Sequence, residues 1–197
     1  MKLKIKKFSK FLLDFTNVRF TEFIYRKNVI LDIGCGEGEF LIKLANLYPK
    51  KQFLGVEIKY GRIIKCLKKS NLNNIKNIKF AICDANLFVE KILLNETLNK
   101  VFINNPDPWP KDKHEKNRIL KVPFLNNLHK KLKRRGSLYI KTDSKKYFNY
   151  IIKNIKKTKF EIDTSESKFD YSLESTKFQK LYEKDKKRIY SIKFIKK

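Results

Sequence analysis

The chain has 197 residues, and its 47 Lys and Arg outnumber 20 Asp and Glu, for a formal net charge of +27. That length suits one domain with a sizeable core and is short for two; the charge favours a polyanionic partner, nucleic acid first, although the excess of Lys, Asn and Ile is also what a biased genome produces. No uncharged apolar run nears the ~18 residues of a membrane span, and the Lys-rich start is broken at Asp14 without a small-residue cleavage site, so a soluble cytoplasmic protein is expected.

Phe8, Phe11, Leu12 and Phe15 share one helical face that Phe23 and Ile24 extend, so residues 1–27 read as a helical extension lying across a core of 28–197. Residues 29–33 are apolar except for Asp32. Gly34-Cys35-Gly36-Glu37-Gly38 follows, then Phe40, Leu41, Leu44, Ala45 and Leu47 at helical spacing. Strand, glycine turn and helix in that order let a ligand approach the backbone beside a helix N-terminus. The spacing G-x-G-x-G departs from the dinucleotide fingerprint, and Asp32 would repel a pyrophosphate. It suits a ligand with a cationic end, such as the ammonium of a methionine moiety.

Residues 52–58 form the second strand, which reaches Glu57 at its end. An acid there, about 20 residues past the glycines, commonly grips ribose hydroxyls. Residues 59–70 carry Ile63, Ile64 and Leu67 at helical spacing. A third strand over 78–83 ends in Asp84, where an adenine amino group can be bound. Each of these acids alone could be a cap or turn residue; three at successive ends of parallel strands converge on one crevice. A short amphipathic stretch, 87–94, precedes a buried strand over 100–104.

The next stretch, 104–118, reads N-N-P-D-P-W-P-K-D-K-H-E-K-N-R. Prolines 106, 108 and 110 fix φ and remove amide donors, which excludes helix interior and central strand. The result is a stiff loop holding Asp107 and Trp109 beside a cluster of cations, as positioning a nucleobase and its phosphates requires. Lys111, His114 and Arg118 read as phosphate contacts. Pro123 then opens a helix as its first residue, with Leu125, Leu128 and Leu132 buried and Gly136 as its stop. Residues 137–142 are the fifth strand, ending in Asp143, and a helix over 147–155 follows. Residues 158–175 are polar and irregular, and 188–195 alternate as a terminal strand.

In this order the chain resembles the tRNA (guanine-N7-)-methyltransferases that use S-adenosylmethionine. The resemblance rests on residues 32–38, Gly55-Val56-Glu57, Cys83-Asp84-Ala85, Asp107-Pro108-Trp109-Pro110-Lys111, His114 with Lys116 and Arg118, Thr142-Asp143, Thr176-Lys177-Phe178 and Ile189-Tyr190. The proline–tryptophan loop is its specific part; the glycine motif is shared by many methyltransferases. The resemblance implies a single α/β domain of the Rossmann-like class I methyltransferase fold. Its seven-stranded, mostly parallel sheet would carry an antiparallel last strand and helices on both faces. It also implies methyl transfer from S-adenosylmethionine to N7 of the guanine at position 46, in the variable loop of tRNA. The partner would be tRNA, with no obligate protein partner, and the protein a monomer or homodimer. By matching positions, Asp32, Gly34, Gly36, Gly38, Glu57, Asp84 and Asp107 would contact the cofactor, with Asp107 also catalytic. Lys111, Asp143, Thr176, Lys177, Phe178 and Gln179 would contact the substrate.

The chain departs from the family pattern at several positions. Asp32 stands where Glu is usual, Asn105-Pro106 replaces an aromatic and a small polar residue, and Asp112 and Asn117 interrupt a more basic run. Gln179 replaces a Glu, and Lys186 a glycine. Guanine N7 already carries a free lone pair, so the chemistry needs positioning and electrostatics rather than a base. No metal is called for, and the cysteines at 35, 66 and 83 lack ligand spacing. Two alternatives stand beside this reading. One is a methyltransferase acting on an exocyclic base amine, for which Asn105-Pro106 is a partial match that Asp107 breaks. The other is a non-catalytic RNA-binding protein on a decayed methyltransferase fold, against which the intact acids argue.

Overall fold

The computed structural model describes residues 8–13, 28–163 and 188–197. Thr176, Lys177, Phe178 and Gln179 lie outside the described residues, as do Phe15, Phe23, Ile24 and Lys186. Five strands run parallel: β1 (Val29–Ile33), β2 (Gln52–Glu57), β3 (Ile78–Ile82), β4 (Leu98–Asn104) and β5 (Leu132–Thr142). β6 (Glu161–Ile162) and β7 (Tyr190–Ile195) complete a seven-stranded sheet in the order β3-β2-β1-β4-β5-β7-β6, with β7 antiparallel to both neighbours. The expected α/β architecture and its antiparallel last strand are therefore present.

The central strands are buried on both faces, which is why their sequences are nearly unbroken apolar runs rather than alternating ones. Ile30, Phe53, Phe80 and Phe102 pack on one side beneath α1 (Glu39–Leu47) and α2 (Tyr60–Leu72). Leu31, Val56, Val101 and Ile140 pack on the other against α4 (Val122–Lys131) and α5 (Lys145–Ile155). The strand order reverses between β1 and β4, and in open α/β sheets the crevice outside the strand ends at such a point binds ligands.

Four segments differ from their expected form. Ser9–Phe11 is a 3₁₀ turn, not part of an α-helix, and Leu12 pairs with Phe80 in parallel while Leu13 N donates to Phe80 O at 2.8 Å. β3 is the sheet edge, and this segment satisfies backbone groups that an open edge exposes. The amphipathic stretch after Asp84 is a single turn, α3 (Ala85–Leu87), running into a π turn over Phe88–Ile92 that buries Phe88 and Val89. α4 begins at Val122, one residue before Pro123, and ends at Lys131 rather than near Gly136. Leu132 is already extended and pairs with Leu98. Gly136 serves close packing instead of helix termination, because a Cβ there would sit 2.8 Å from the Lys133 carbonyl oxygen. The stretch expected to be irregular after residue 158 contains β6.

Candidate active site

The ends of β1, β2, β3 and β4 open onto one cleft of about 320 Å³. Gly34, Glu57, Asp84, Asn105, Asp107 and Trp109 line it, so residues far apart in sequence are gathered at the reversal point. The turn leaving β1 holds Gly34, Gly36 and Gly38 at φ of 73°, 58° and 76°, a left-handed conformation that costs glycine little and other residues more. Apart from the adjoining residues, no atom of a described residue lies within 4 Å of where a Cβ would stand at Gly34 or Gly36, whereas at Gly38 it would meet Cys66 Sγ at 2.9 Å. The first two glycines thus leave space on the turn, and the third packs the turn onto α2.

Asp32 lies beneath this turn, 3% exposed. Burial, with a smaller contribution from the Glu57 charge, pushes its carboxyl up to about 8, and the Asn104 amide partly offsets the rise. Neither Asp32 Oδ1 nor Asn104 Nδ2 has a partner within hydrogen-bond geometry among the described residues. A buried acceptor and a buried donor left unsatisfied side by side are costly. One consequence concerns stability. Between about 4 and 8 the folded chain holds a proton on Asp32 that the unfolded chain has lost, so this group's contribution to stability falls as pH rises through that window.

Glu57 is also buried, at 5% exposure, but both of its oxygens have partners. Oε1 accepts from Lys59 N at 2.9 Å; Oε2 accepts from Gly36 N at 3.2 Å and from Arg62 Nη1 at 3.3 Å. Asp84 is exposed and caps α3, accepting from Asn86 N at 2.9 Å and Leu87 N at 3.0 Å through a single oxygen. Asp107 is exposed and makes no hydrogen bond or ion pair to a described residue.

The loop after β4 takes its shape from two positive-φ residues, Asn105 at 48° just before Pro106 and Trp109 at 44° between Pro108 and Pro110. Asn105 N donates to Lys141 O at 2.8 Å, which ties the loop to β5. Arg118 closes it from the other end. The Arg118 side chain is buried, with Nε donating to Pro108 O at 3.0 Å, Nη2 to Trp109 O at 3.1 Å and Nη1 to Glu115 Oε2 at 3.1 Å. Its guanidinium stacks over Tyr150 at 4.7 Å and faces Tyr147 at 5.7 Å, both on α5. Arg118 is therefore not a phosphate contact, contrary to expectation; one planar fork satisfies two loop carbonyls that the prolines leave without backbone partners. His114 packs edge-on against Trp109 with ring centroids 5.7 Å apart.

Among the acids expected to act together, Glu57, Asp84 and Asp107 share the cleft, and Asp32 lies under its glycine turn. Lys111 is exposed on the loop and Asp143 half-buried beyond β5; neither lines the cleft. Arg62 does line it and was not singled out from the sequence. Its signal was there, a cation on the first turn of the helix that follows Glu57.

Comparison with known proteins adds independent findings. The family described as "Putative methyltransferase" matches residues 26–192. A tRNA (guanine-N(7)-)-methyltransferase of Buchnera aphidicola subsp. Acyrthosiphon pisum is 39% identical over 87% of this chain and 74% of its own. One from Buchnera aphidicola subsp. Schizaphis graminum is 43% identical over 73% of this chain, which spans 58% of that relative's length. Among solved structures, the 16S rRNA methyltransferase KamB superposes with a TM-score of 0.67 at 10% identity, covering 92% of this chain and 94% of its own; that likeness concerns the fold.

Proposed function

The chain belongs to the tRNA (guanine-N7-)-methyltransferase family, and we propose on that basis that it transfers a methyl group from S-adenosylmethionine to N7 of the guanine at position 46 in tRNA. The observation that carries this reading is the convergence of Gly34, Glu57, Asp84 and Asp107, from four strand ends, on one cleft. The donor set fits the cofactor. Asp32, buried with an unsatisfied oxygen, would take the ammonium; Glu57 would take the ribose hydroxyls; Asp84 would take the adenine amino group. When bound, S-adenosylmethionine supplies an electrophilic sulfonium methyl. The residues of this chain then have two tasks, holding guanine N7 in line and stabilising the charge that develops on the purine. Asp107 suits the second, as a carboxylate in the cleft that has no partner among the described residues and can also accept from guanine N1–H and N2–H₂. Lys111, Asp143 and the segment from Thr176 to Gln179 would hold the tRNA, in the cytoplasm, with the protein acting as a monomer or homodimer. No helix among the described residues is long and apolar enough to cross a membrane. The reading is tested by incubating the protein with methyl-labelled cofactor and an unmodified tRNA transcript; label in the RNA supports it, and its absence contradicts it.

The raised carboxyl of Asp32 predicts pH-dependent cofactor affinity. Only the ionised form partners an ammonium, so below about 8 binding must release a proton, and affinity should rise by up to about tenfold per pH unit. Above that pH it should fall again, as the ligand's own α-amino group, with an ordinary value of about 8, loses the proton that the pairing needs. Calorimetry in buffers of different ionisation enthalpy reads the proton directly. Asp32→Asn should bind more weakly and lose the pH slope; a retained slope would assign the proton elsewhere.

A second prediction concerns the net charge of +27. If exposed lysines hold tRNA phosphates, affinity falls steeply with salt, and Lys111→Ala reduces the log–log slope by about one. Arg118→Met should leave the slope unchanged, since its guanidinium is spent inside the loop. A flat salt response in the wild type would make the lysine excess a matter of composition alone.

A further inference from the structure

The surroundings of Glu57 define what its carboxylate can still accept. An ionised carboxylate offers about four acceptor positions, two on each oxygen. Lys59 N–H fills one on Oε1 and Gly36 N–H one on Oε2. The backbone therefore leaves one position per oxygen, which is what a vicinal diol donating one bond to each oxygen requires. Here the remaining position on Oε2 is filled by Arg62 Nη1 at 3.3 Å. Of this pair Glu57 is the fixed member, buried at the end of β2. Arg62 is 39% exposed on the first turn of α2, lines the cleft, and makes no other side-chain bond to a described residue. A single hydrogen bond from a partly exposed guanidinium is a weak tie.

We infer that Arg62 is a displaceable counter-ion that passes from Glu57 to a phosphate of the tRNA, an inference that rests on the function proposed above. When the ribose hydroxyls of the cofactor take both oxygens of Glu57, the guanidinium loses its partner and turns into the mouth of the cleft. There its planar donor fork matches phosphate geometry. The exchange makes the two ligands help one another. Cofactor binding frees a cation for RNA, and RNA binding removes the competitor for Glu57, with equal coupling in both directions.

The test is a pair of cross-titrations on wild type and Arg62→Met, using S-adenosylhomocysteine and an unmodified tRNA transcript. In the wild type each ligand should raise the affinity of the other about fivefold or more. In Arg62→Met, S-adenosylhomocysteine alone should bind at least as tightly as to wild type, and the mutual enhancement should vanish. The salt slope of tRNA binding, measured with S-adenosylhomocysteine bound, should fall by about one in the variant and be unchanged without it. Arg62→Gln repeats the comparison with a polar side chain should the Met variant fold poorly. Weaker S-adenosylhomocysteine binding in the variants would make Arg62 a fixed support of Glu57 and overturn the inference, as would coupling that is absent in the wild type or undiminished in the variants. A wild type that binds no S-adenosylhomocysteine would instead contradict the proposed function.

Discussion

Asp107→Asn is expected to lower turnover more than tenfold while leaving tRNA affinity nearly unchanged. In the proposed reaction positive charge moves from sulfur onto the purine ring, and a carboxylate fixed beside the ring stabilises the product-like state. Asp107 is suited to this by having no partner among the described residues and by the loop that carries it, stiffened by Pro106 and Pro108. The asparagine keeps the shape and one acceptor but loses the anion. Each decade of lost rate corresponds to about 1.4 kcal/mol of transition-state stabilisation. Single-turnover rates at saturating tRNA and cofactor isolate this step. Weakened RNA binding with normal turnover would make Asp107 a docking residue, and near-normal rates throughout would remove it from the chemistry.

Arg118→Met should be nearly as damaging, for a different reason. The wild-type guanidinium makes hydrogen bonds to the carbonyls of Pro108 and Trp109 and to Glu115, and it stacks on Tyr150. Methionine fills part of the volume but leaves both carbonyls unsatisfied, at a stability cost on the order of 3 kcal/mol. The loop that aims Asp107 and Trp109 then loses its inner support, so turnover should also fall about tenfold or more, since small misplacements of reacting groups are costly. Arg118→Lys should rescue little, because an ammonium cannot reproduce the planar fork. Thermal melts and single-turnover rates of the two variants check both halves. A stable, fully active Arg118→Met would show that the prolines alone hold the loop.

The contrast between Arg118 and Lys111 marks where the sequence stops being readable. Both sit in one basic run, and nothing local distinguishes them. Arg118 is internal only because α5 brings Tyr147 and Tyr150 against it, and Leu120 is tied to the same helix by Asn154 Nδ2 at 3.0 Å. The strands were legible because parallel strands buried on both faces need continuous apolar runs; of the three acids that strand direction alone gathers, Glu57 and Asp84 line the cleft, whereas Asp32 lies buried beneath the glycine turn. The helix before β5 was overrun because Gly136 resembles a helix stop, while the competing pull, pairing of Leu132 with Leu98, is long-range. The segment at Leu12 escaped notice for the same reason, its partner being the edge strand β3. The role of Arg62 depends on which positions of Glu57 the backbone fills, and only the folded turn specifies that.

The proposed reaction is defined by the atom that receives the methyl group. Two tRNA transcripts test it, one with guanine at position 46 and one with 7-deazaguanine there, which lacks N7 but keeps the exocyclic amine and the pairing edge. Incubated with the protein and methyl-labelled S-adenosylmethionine, the first should take up label at position 46 and the second none. Equal labelling of both transcripts, or label mapped to another nucleotide, would contradict transfer to guanine N7 at that position.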